Sequence, residues 1–147
     1  MARPKSYRDL IAWQKAMTLA KCAYKSTESL PRREAYGLVD QIRRAAVSVT
    51  SNIAEGYGRL SDLQFRHFLG NARGSLCEMR TQVELAIELE YIDKKIGQAF
   101  MDQSAEMGRI LNGLIASLRS TGGAKAAKSN SANPANSANP ASGKAHV

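Results

Sequence analysis

The sequence predicts an all-α fold, an antiparallel up-down four-helix bundle, on three observations. No proline stands between Pro31 and Pro134, and runs of β-branched residues are scarce. Apolar residues recur at alternating spacings of three and four, the period of a helix face rather than of a strand. Four such stretches with short connections bury their stripes most simply against one another.

The first stretch aligns Leu10, Trp13, Met17, Ala20 and Tyr24. Leu30-Pro31 ends it, because the residue before a proline is pushed out of the helical region. The second aligns Val39, Ile42, Ala46, Val49 and Ile53. Gly56 and Gly58 then offer the left-handed conformation that terminates a helix. Ser61, with Gln64 three residues on, reads as a capping box opening the next one. The segment SNIAEGYGRLSDLQF, Ser51 to Phe65, therefore joins two helices. It holds no GK[ST] and follows no strand, so it is not a phosphate loop. The third stretch carries Phe65, Leu69, Ala72, Leu76, Met79 and Val83. It runs from about Ser61 to Glu90, roughly 45 Å of helix. The fourth opens with Asp93 as N-cap and presents Ile96, Phe100, Met107, Ile110 and Leu114, widened by Leu111, Ile115 and Leu118. A bundle this long with few core aromatics is expected to gain stability by self-association.

Residues 1–120 form the expected bundle, and residues 121–147 an expected disordered tail. From Thr121 the chain has no aromatic and no large apolar residue but Val147, and NSANPA occurs twice in tandem. Such a segment has nothing to bury against its chain entropy. The whole chain carries a formal charge of +8; the tail holds three lysines and no acid, leaving the body 18 basic and 13 acidic residues. That excess favours an anionic partner but describes a field, not a site. Cys22 and Cys77 stand in no metal-ligand spacing, and two free thiols suit a reducing compartment. The N-terminus, MARPKSYRDLIAWQKAM, is broken by charge too often for a signal-peptide core, and no apolar run approaches a membrane span. A cytoplasmic protein without membrane contact is the expectation.

Ser48, Asn52 and Glu55 lie at spacings of four and three, away from the second helix's apolar seam. Three polar groups in a row are a solvated face, a hydrogen-bonded contact to a neighbouring helix, or catalytic groups. No histidine is close in sequence: His67 sits on the polar side of the third helix and His146 in the tail. Metal sites and His-based nucleophilic sites lack their parts, so neither an enzyme nor a cofactor is expected. Gly70 and Gly74 leave a smooth strip on the third helix where another backbone could come close. Arg66, Arg73 and Arg80 repeat every seven residues beside the seam, where they would meet a neighbouring helix, a partner subunit or an extended ligand. Asp62 is in reach of Arg66 and Glu84 of Arg80, whereas Arg73 has no acid at helical spacing.

The run QIRRAAVSVTSNIAEGYGR, Gln41 to Arg59, followed by FLGNARGSLCEMRTQVELA, Phe68 to Ala86, resembles the four-helix bundle proteins encoded in intervening sequences of bacterial 23S rRNA genes. YRDLIAWQKAMTLA, Tyr7 to Ala20, is similar to that family's first helix. Thr50 stands where many relatives carry proline, and should make the second helix more regular. The resemblance implies a cyclic homopentamer, and kinship with the accessory variability determinant of diversity-generating retroelements, a basic pentamer that binds nucleic acid and a reverse transcriptase. Carried over by position, Asn52, Glu55, Gly56, Gly74, Ser75 and Glu78 match the motif and are read as structural. The expected function is non-catalytic binding of RNA or DNA by an oligomer, through Arg43, Arg44, Arg66, Arg73 and Arg80, with Arg32 and Arg33 as a second pair. A reverse transcriptase is a further possible partner. The alternative is a protein-interaction scaffold whose basic surface engages an acidic protein.

Overall fold

The computed structural model describes residues 4–126, with side chains to residue 119. Four helices account for it: α1 (Ile11–Ser26), α2 (Leu38–Tyr57), α3 (Asp62–Glu88) and α4 (Lys94–Ala126), with short 3-10 turns at Tyr7–Asp9, Thr27–Ser29 and Arg32–Glu34. No strand occurs among the described residues. Each helix packs on its neighbour in sequence, and α1 closes the ring against α4. This is the all-α bundle expected from the spacing. No helix among the described residues is long and apolar enough to cross a membrane. Residues 121–126 continue α4; the rest of the stretch expected as tail, 127–147, lies outside the described residues.

The core stripes of α2 and α3 fall where the periodicity puts them. Ile42, Ala46, Val49 and Ile53 face Phe65, Leu69, Ala72, Leu76, Met79 and Val83, all buried. In α1 the face differs from expectation. The buried positions are Ala12, Ala16, Leu19 and Ala23, while Trp13, Met17 and Ala20 are half-buried and Tyr24 is exposed. Small residues let α1 approach its neighbours closely, and the larger ones cover the rim. In α4, Phe100, Met107 and Leu111 are buried, but Ile96 faces solvent.

Helix ends are largely as the local chemistry requires. Ser61 Oγ accepts from the Gln64 backbone N–H at 3.2 Å, and Asp93 Oδ2 accepts from Lys95 and Ile96 N–H at 3.0 and 3.4 Å. The glycine turn differs from expectation: among the described residues no glycine has a positive φ, and Gly58 caps α2 at φ −76°. Gly56 is instead a contact residue. A Cβ there would stand 2.6 Å from Phe68 Cβ and 3.0 Å from Phe65 Cδ2, so its hydrogen is what lets α2 and α3 meet. The residue in the left-handed region is Glu90, φ 62°, just past α3. Thr50 leaves α2 unbroken, its hydroxyl donating to the Val47 carbonyl at 2.8 Å.

Candidate nucleic-acid interface

The polar residues of α2 and α3 divide into a seam that joins helices and a groove that faces outward. In the seam the hydroxyls of Ser48 and Ser75 share a hydrogen bond of 2.8 Å, and Asn52 Nδ2 donates to the Ser48 carbonyl and hydroxyl at 2.8 and 3.0 Å. Further along, Gln82 Nε2 donates to Gln41 Oε1 and Glu78 Oε1, both at 3.2 Å. Ser48 thus makes a hydrogen-bonded contact between helices, while Asn52 bonds back to Ser48 within α2. Glu55 stays at the surface, paired with Arg59 at 2.7 Å. Gly74, with Gly70, has nothing within 4 Å of where a Cβ would stand, so no backbone among the described residues uses the strip.

The arginines part company. Arg43 is taken up by the end of α1: Nε donates to Thr27 Oγ1 at 3.0 Å, Nη2 to the Tyr24 carbonyl at 3.3 Å, and the guanidinium lies 4.7 Å from the Tyr24 ring centroid. Cations at a helix C-terminus stabilise its unpaired carbonyls. Arg44 pairs with Asp40 at 3.4 Å on the exposed side of α2. Arg33 reaches the Tyr91 hydroxyl at 3.4 Å, and Arg32 is exposed in the same 3-10 turn.

Arg66 and Arg73 instead line a groove of about 490 Å³ between α3 and α4, together with Gly70, Asn112, Ile115, Ala116 and Arg119. Arg73 Nη1 donates to Asn112 Oδ1 at 3.1 Å, a neutral partner on the facing helix. Arg66 Nε is buried without a hydrogen-bond partner among the described residues, and so is Nε of Arg80, which is not among the groove residues. The pairing expected between Arg80 and Glu84 is not formed among the described residues, whereas Lys15–Glu106, Arg44–Asp40 and Arg59–Glu55 pair. Sequence reasoning missed Arg119 and Asn112. Their seven-residue separation on α4 matches that of Arg66 and Arg73, and the antiparallel register sets the two pairs side by side. Among the described residues no group of three or more His, Cys, Asp or Glu is placed to hold a metal ion. Cys22 is half-buried and Cys77 exposed, both free.

These features define a four-helix bundle with an arginine-lined groove between its last two helices. The family model of the 23S rRNA-intervening sequence proteins matches residues 8–113, and the chain belongs to that family. Among solved structures it is similar to a protein of unknown function of the S23 ribosomal protein family from Bacteroides thetaiotaomicron, at 24% identity over 71% of this chain and 98% of that one, with a TM-score of 0.67. At that identity the likeness concerns the fold. No curated protein matches the chain.

Proposed function

We propose that this is a non-catalytic, cytoplasmic nucleic-acid-binding protein that grips the phosphate backbone in the α3–α4 groove. One observation carries the reading: Arg66, Arg73 and Arg119 converge on one groove whose lining residues include no carboxylate. Guanidinium groups keep their charge at cellular pH, and their planar fork matches phosphate oxygens. A buried donor without an acceptor, such as Arg66 Nε, carries a desolvation cost that a bound phosphate oxygen would offset. Affinity would come from backbone contacts, steeply dependent on salt and weakly on sequence. The proposed ligand is the polyanion itself, and a reverse transcriptase is not required for it.

Arg73→Glu tests this. Arg73 is exposed and, among the described residues, bonded only to a neutral amide, so the variant should stay folded and assembled. Affinity should fall across unrelated sequences, and the slope of log affinity against log salt should become shallower by about one for the lost contact. Unchanged affinity, or a drop in melting temperature or oligomer size without it, would remove the groove from function.

Homo-oligomerisation, as the cyclic pentamer the family resemblance implies, belongs to the same proposal. Its support is a second groove, about 520 Å³ between α1 and α2, where Met17, Ala20, Tyr24 and Val47 present apolar surface. Light scattering checks it, and a monomer at micromolar concentration would exclude it.

A further inference from the structure

We infer that the α3–α4 groove takes the backbone of a nucleic-acid duplex in preference to a single strand, an inference that rests on the groove being the nucleic-acid site. Proteins that hold single strands combine a basic channel with aromatic side chains on which successive bases stack. This groove has the channel and lacks the platforms. Its uncharged lining residues are Gly70, Asn112, Ile115 and Ala116, none of them a ring.

The rings elsewhere lie outside this groove, the exposed His67 lining a separate surface pocket with Arg59 and Phe68. Tyr7 and Trp13 pack edge-on at 5.2 Å, and Tyr57 and Phe65 at 5.9 Å. Phe68 is flanked by His67 and covered by the Arg59 guanidinium at 4.7 Å. Tyr24 lies under Arg43 and Tyr91 beside Arg33, while Phe100 is fully buried. Tyr36 alone is wholly exposed, at 98%. It precedes α2, at the end of the bundle opposite Arg66 and Arg119, because α2 runs from that end toward the α2–α3 turn.

What the groove does offer suits a dense row of phosphates. Gly70 lies between Arg66 and Arg73 in sequence with open space where a Cβ would stand. A sugar–phosphate chain can therefore approach the helix backbone between the two guanidiniums. Arg119 closes the site from α4. A duplex presents about one charge per 1.7 Å of axis, more than a single strand brings to the same three cations. Bases in a duplex are already stacked on one another, so the missing platforms cost it nothing.

The experiment is a binding comparison at fixed salt, using the full chain. Probes are a 20-base-pair RNA duplex, its DNA counterpart, one strand of each, and an abasic strand of the same length. The duplexes should bind at least about ten-fold tighter than their single strands, and the abasic strand should bind like the ordinary one. RNA and DNA duplexes compared directly tell which backbone the site prefers. Arg119→Ala, at an exposed position, should weaken duplex binding while the protein stays folded. Ala116→Tyr, which adds a ring at the groove, should raise single-strand affinity and narrow the ratio. Single strands binding as tightly as duplexes, or losing affinity when their bases are removed, would overturn the inference and leave the nucleic-acid reading standing. Duplex binding indifferent to Arg119→Ala would overturn it as well. Binding of none of the probes would remove both.

Discussion

Gly56 and Gly74 look alike in the sequence, and only their surroundings separate them. A methyl group at Gly56 would press on the Cβ of Phe68, close to a backbone that cannot yield easily. Gly56→Ala should destabilise the protein by about 1–3 kcal/mol, as overpacking does. A methyl group at Gly74 would meet nothing among the described residues. The alanine variant should gain roughly 0.5–1 kcal/mol from helix propensity alone. Denaturant titration reads both. A Gly74→Ala protein that instead lost stability or assembly would show that a second copy touches the strip. Arg43 marks another limit of sequence reading. Its partners lie 16 and 19 residues away, at the end of α1. Nothing local to α2 distinguishes it from Arg44, which stays at the surface.

At the scale of elements, legibility followed the size of the buried side chains. α3 fills its core face with Phe, Leu, Met and Val, so its stripe could be read directly. α1 buries mostly alanine, and reading the bulkiest residues as the core turned its face by about one position, or ~100°. Helix ends were legible where a side chain caps them and illegible where only the backbone decides. After α3 the Tyr91 N–H donates to the Ala86 carbonyl at 2.9 Å and Glu90 N–H to Ile87 at 3.0 Å, with Glu90 left-handed between them. That arrangement is a Schellman-type end, where glycine is the usual occupant. Glu90→Gly should therefore stabilise by about 1 kcal/mol, since a side chain there carries a left-handed penalty of that order. A loss of melting temperature would contradict it. Ser61→Ala removes the cap of α3 and should cost about 0.5–2 kcal/mol.

Across the whole molecule, charge is distributed unevenly along the bundle axis. In the N-terminal half of α3 Arg66 and Arg73 outnumber Asp62, and in the C-terminal half Glu78, Glu84 and Glu88 outnumber Arg80. Arg59 and Arg119 lie toward the same end as Arg66. A polyanion should be steered to that end, and its association rate should fall steeply as salt rises from low to physiological strength. Stopped-flow association at two ionic strengths checks this; a rate insensitive to salt would count against it. The formal charge of +8 favours an anionic partner. It could not foretell the groove, because that depends on which residues of α3 and α4 lie abreast.

The hairpin of α2 and α3 also bears on how the chain reaches its fold. Among the described elements these two helices share the most extensive contact, and they are joined by the short turn that follows Tyr57. Closing so short a loop costs little entropy, so native contacts across it can form early. α1 offers a narrower, alanine-rich face and is expected to dock after the hairpin. Leu69→Ala should then mainly slow refolding, whereas Ala16→Gly should mainly quicken unfolding. In hydrogen exchange the amides of α1 should open before those of α3, making the first helix the one that lets go.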